Sequence, residues 1–128
     1  MPPTSTRISR RVLLVDDDAG IRHLLARVLS TIGCTVVTAS DGVEALEVVS
    51  SQAFDLVISD VVMPKLDGVQ LAARLRASQP HVPVLLISGF SDALAANPLP
   101  PGTTFLAKPV DIAHFTTAVR QLLEAPVA

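Results

Sequence analysis

At 128 residues the chain has the length of one domain and can bury a core without disulfides or a structural metal. Its 49% hydrophobic and 17% charged residues are too apolar for a disordered chain, and a net charge of -2 gives no general attraction to nucleic acid. The single cysteine, Cys34, excludes an internal disulfide, and no apolar run approaches the roughly 20 residues that span a bilayer.

Residues 1–10 read as a disordered lead. The arginines at 7, 10 and 11 precede only four apolar residues and then three aspartates, which is not a signal peptide. The run Val12-Leu13-Leu14-Val15 predicts a first strand ending in Asp16, Asp17 and Asp18. Ile21, Leu24, Leu25, Val28, Leu29 and Ile32 follow at helical spacing, with Asp18 as N-cap and Gly33 as the stop. Cys34 reads as a buried structural thiol. Thr35-Val36-Val37-Thr38 predicts a second strand. Asp41 and Glu44 resemble a capping box opening a helix that carries Val43, Leu46 and Val49.

Phe54 to Asp60 predicts a third strand ending in Ser59-Asp60, and Asp67 a cap for a helix with Val69, Leu71, Ala72 and Leu75 inward. Val84-Leu85-Leu86-Ile87 predicts a fourth strand ending in Ser88. A fourth helix is expected between Ser88 and Gly102, but Pro98, Pro100 and Pro101 limit it to one or two turns. Thr104 to Ala107 predicts a fifth strand ending in Lys108-Pro109. Asp111 caps a last helix with Ile112, Phe115, Val119, Leu122 and Leu123 on one side, before a tail at 125–128. Five strand-then-helix units predict a doubly wound α/β domain over 11–124, with a parallel sheet covered on both faces.

In such sheets ligands bind beyond the carboxyl ends of the strands. Asp16, Asp17 and Asp60 would meet there, and crowded carboxylates raise each other's pKa unless a cation joins them. Mg²⁺ suits the set, since it takes one or two carboxylates and leaves positions for water or phosphate oxygens. Lys108 and the Ser88 hydroxyl could then hold phosphoryl oxygens.

Those motifs together resemble a response-regulator receiver domain of two-component signalling. The resemblance runs over about residues 11–124. Its motifs are Leu14 to Asp18, Asp60 to Pro64 with Asp67-Gly68, Ile87-Ser88-Gly89 and Lys108-Pro109. It implies a flavodoxin-like sheet of order 2-1-3-4-5 with five helices. Asp60 would be the phosphoacceptor, Asp17 a direct Mg²⁺ ligand, Asp16 a ligand through water and the Val62 carbonyl a backbone ligand. Ser88 would be the switch hydroxyl, Lys108 the phosphoryl-binding amine and Phe105 the switch aromatic, competing with a plain core position. The Lys108-Pro109 bond is expected to be cis. A histidine kinase or histidine phosphotransfer protein would be the donor. Ile87 to Asp92 resembles receivers attached to hybrid histidine kinases, which favours a phosphorelay over transcription.

The sequence runs only a few residues past the last helix, so output is expected through protein contacts of a cytoplasmic, monomeric protein, with no nucleic acid or membrane involved, unless these residues are one piece of a larger protein. Val62 and Phe90 are expected to shield the acyl phosphate from water. His23, His81 and His114 lack metal-ligand spacing, and Arg22 and Arg27 read as a solvated face. A haloacid-dehalogenase-type phosphatase would need an acid where Val62 stands, and a flavin-binding domain would not place three aspartates after the first strand. A docking module that is never phosphorylated remains the alternative function.

Overall fold

The computed structural model describes residues 10–89 and 102–124. Its elements in order are β1 (Arg11–Val15), α1 (Ala19–Thr31), β2 (Thr35–Ala39), α2 (Gly42–Val49), β3 (Leu56–Asp60), α3 (Gly68–Ser78), β4 (Val84–Ser88), β5 (Thr103–Ala107) and α4 (Ile112–Glu124). The strands form one sheet in the order β2-β1-β3-β4-β5, every pair parallel, as the resemblance implied. α4 is the last of the five expected helices. The expected fourth, with Phe90 and the three prolines, falls in 90–101, outside the described residues.

Alternation across the pleat divides the core into two layers. Leu13, Val15, Val57, Val84 and Leu86 face α2 and α3, packing with Ala45, Val49, Leu71, Ala72 and Leu75. Val12, Leu14, Leu56, Ile58, Leu85 and Ile87 face α1 and α4, packing with Leu25, Leu29, Phe115, Val119 and Leu123. Cys34 is buried in this second layer, and burial pushes its thiol up from the ordinary value. Strands covered on both faces must be apolar throughout, which is why the inner runs lack the alternation of half-exposed strands.

The helix starts follow the predicted caps, with two differences. Asp18 accepts from the Ile21 amide at 3.0 Å, and Asp111 from Ala113 and His114 at 2.8 and 3.2 Å. Asp41 accepts from Glu44, but the Glu44 carboxylate reaches past Asp41 to the Ser40 amide at 2.6 Å. Asp67 forms a full capping box with Gln70. Three residues of the apolar helical patterns, Leu24, Val43 and Ile112, are exposed. Each sits at the margin of its stripe, where helical spacing alone cannot separate flank from centre.

Candidate functional site

Each inner strand ends in the residue that its apolar run pointed to, and all end on the same side of the sheet. Asp16 follows β1, Asp60 ends β3, Ser88 ends β4 and Lys108 follows β5. Main-chain hydrogen bonds carry the ladder past the strands. The Asp16 amide donates to Ala39 O (3.2 Å), Val61 to Ile87 O (3.0 Å) and Lys108 to Ser88 O (2.9 Å). These bonds draw residues far apart in sequence onto one edge.

The Lys108 Nζ lies 3.1 Å from Asp60 Oδ2, and the Asp60 side chain is nearly fully buried. Carboxylate oxygens of Asp16, Asp17 and Asp60 all lie within 4.8 Å of one another, the one such cluster among the described residues. Asp16 and Asp60 are buried and Asp17 is exposed, so the cluster opens to solvent on one side. Burial pushes the Asp16 carboxyl above its ordinary value, against the pull of the Asp18 amide; the charge of Asp60 raises it further, and Lys108 lowers it. Hard, anionic oxygen donors with one open side fit Mg²⁺, and a divalent cation among them would relieve the repulsion.

Local backbone chemistry shapes the loop after β3. The Gly68 amide donates to Val61 O at 2.8 Å, folding residues 61–67 back over the strand end. A Cβ on Gly68 would lie 2.5 Å from the Asp60 carbonyl oxygen, so only glycine allows this approach. The buried Ser59 hydroxyl donates to the same carbonyl at 2.8 Å. Asp16 is tied as firmly: its Oδ1 accepts from the Asp18 amide at 2.8 Å, and its main-chain carbonyl accepts from Arg22 Nη1 at 2.6 Å.

The structure therefore gathers Asp16, Asp17, Asp60 and Lys108, with Ser88 buried at the adjacent strand end. Val62 lies two residues past Asp60, its side chain 55% exposed. Phe105 is half-buried in β5, in register with Leu86 of β4. Asp18 serves as a cap, and His23, His81 and His114 are exposed and outside the cluster. The Lys108-Pro109 bond is cis. Sequence reasoning missed Arg22, which it read as solvated, and the packing role of Gly68. A contact from Arg22 to a carbonyl six residues back leaves no signature in spacing, whereas Gly68 stood in plain view after a capping aspartate.

Comparison with known proteins agrees. The response regulator receiver domain family matches residues 12–120. The chain is 38% identical over 120 residues to the sensor kinase CckA of Brucella abortus, covering 91% of this chain and 13% of that protein. It is likewise 38% identical to the response regulator MprA of Mycobacterium ulcerans, covering 91% of this chain and 51% of that one. It thus spans at most about half of these relatives. Among solved structures, the receiver domain of the hybrid histidine kinase CckA superposes with a TM-score of 0.77 at 38% identity, covering 89% of this chain and 99% of that one. The Vibrio cholerae chemotaxis protein CheY4 superposes with a TM-score of 0.78 at 28% identity, covering 90% and 99%.

Proposed function

The chain belongs to the response-regulator receiver domain family, and on that premise we propose that Asp60 accepts a phosphoryl group from a phosphohistidine. The donor is a histidine kinase or a histidine phosphotransfer protein, and residues 11–124 are the working unit. The observation that carries the reading is the 3.1 Å contact of Lys108 with Asp60 beside the oxygens of Asp16 and Asp17.

An Asp60 carboxylate oxygen attacks phosphorus, the P–N bond breaks, and its electron pair returns to the donor imidazole. The product is an acyl phosphate, and attack by water releases inorganic phosphate and restores the carboxylate. The Asp17 and Asp60 carboxylates, the Val62 carbonyl and, through water, Asp16 would hold Mg²⁺, which supplies charge neutralisation at the phosphoryl oxygens. Lys108 holds one phosphoryl oxygen as a point charge. With little covalent work left to the protein, positioning supplies most of the catalysis. Ser88 donates to another oxygen, and Phe105 responds from the adjacent edge strand, so a local charge event biases the surface that a protein partner reads.

The test is intact mass after incubation with Mg²⁺ and acetyl phosphate. A gain of one phosphoryl group, absent in Asp60→Asn and abolished by a metal chelator, is the expected outcome. No gain, with no beryllofluoride binding either, replaces this reading with docking that needs no phosphorylation. No helix among the described residues is long and apolar enough to cross a membrane.

A further inference from the structure

We propose that Arg22 is a positioning residue for the acidic cluster, acting through the main chain of Asp16. Its Nη1 donates to the Asp16 carbonyl oxygen at 2.6 Å, while its own amide donates to Asp18 O at 2.9 Å as part of α1. One side chain thus ties the first turn of α1 to the last carbonyl before Asp17. The remaining anchors of this turn act on other groups: the Asp16 amide is held by Ala39 O, and the Asp16 side chain by the Asp18 amide. Among the described residues, Arg22 is the one side chain that hydrogen-bonds the Asp16 carbonyl.

That carbonyl belongs to the peptide joining Asp16 to Asp17. Its orientation sets the direction in which the exposed Asp17 carboxylate leaves the backbone. A peptide free to rotate would swing Asp17 away from Asp16 and Asp60. Groups that orient metal ligands without touching the metal matter about tenfold or more in metal affinity when removed.

The inference rests on the Mg²⁺ reading above, and charge and geometry make opposite predictions for it. Removing a cation near three carboxylates should tighten Mg²⁺ binding by simple electrostatics. Removing a positioning strut should weaken it. The experiment is a Mg²⁺ titration of the full chain, followed by amide shifts in two-dimensional NMR, for wild type, Arg22→Met, Arg22→Lys and Asp17→Asn. Arg22→Met keeps an unbranched stem and good helix propensity but has no donor. We expect it to weaken Mg²⁺ binding about tenfold, with an unchanged amide pattern in the core strands, and Arg22→Lys to recover most of the loss. Binding by Arg22→Met as tight as wild type, or tighter, overturns the inference while leaving the metal reading intact. Wild type that binds no Mg²⁺, or binds as Asp17→Asn does, overturns both. If Arg22→Met does not fold, Arg22→Gln, too short to reach the carbonyl, carries the same comparison.

Discussion

The three inner strands and the two edge strands are equally long but differently set. Every residue of β3 and β4 is buried, and all of β1 after Arg11. β2 and β5 bury only Ala39 between them. The three carboxylates and Ser88 hang from the inner strands, whereas Lys108 arrives from an edge strand that also carries Phe105. The groups proposed to hold a metal and to take the phosphoryl group thus sit at the ends of the strands that are buried throughout or nearly so. The proposed switch aromatic, Phe105, sits on a half-buried edge strand, whereas the proposed switch hydroxyl, Ser88, ends a buried one. Burial is distributed by strand position, and it follows how apolar each run is.

The largest expected effect comes from pairing one inner with one edge substitution. Ile58→Ala in β3 should cost about 2–5 kcal/mol, the usual range for emptying a fully buried site. Leu106→Ala in β5, whose side chain is half-buried, should cost about 1 kcal/mol. Chemical denaturation of both variants measures the contrast, and equal losses would break it. Next comes Gly68→Ala, whose Cβ meets the Asp60 carbonyl. Overpacking should cost about 1–3 kcal/mol and displace the Asp60 strand end, lowering Mg²⁺ affinity as well. A loss of stability with unchanged metal binding would show that the loop yields and the strand does not.

The smallest effect lies at the start of α2, where Asp41 and Glu44 cap the first turn. The Glu44 amide, donating to Asp41, pulls the Asp41 carboxyl down, and the Ser40 amide does the same for Glu44. A lowered folded value favours the folded state above the ordinary values of 3.8 and 4.5, and that contribution is lost as pH falls through the folded values. Following the Ser40 and Glu44 amides by NMR from about pH 5 to about pH 3 should show both moving as the caps protonate. In Glu44→Gln the Ser40 shift should disappear. Asp16 runs the opposite way: its raised carboxyl adds a cost that appears as pH rises through 3.8 and is full above the folded value.

Much of this architecture was legible before any coordinates, because burial on both faces writes itself as a continuous apolar run. Val12 to Val15, Leu56 to Ile58 and Val84 to Ile87 stood out, and the polar residue ending each run marked the sheet edge. Caps were legible too, since an aspartate just ahead of a helical apolar pattern can accept from the free amides of the first turn. The failures were of two kinds. Leu24, Val43 and Ile112 share the period of the core stripe, but exposure depends on what packs opposite. Glu44 bonds Ser40 rather than Asp41, and Arg22 turns back to the Asp16 carbonyl, because reach depends on the local path of the backbone. Gln70 could have been found from its place three residues after Asp67.

The contact of Lys108 with Asp60 has a meaning for the order in which the molecule becomes itself. Its partners lie 48 positions apart, and the amine comes into place only when the last strand lies along β4. A chain extended as far as Gly89 already holds every acid of the cluster and the Ser88 hydroxyl, yet no Lys108. The amine that would hold a phosphoryl oxygen is the last of these side chains to be added as the chain grows.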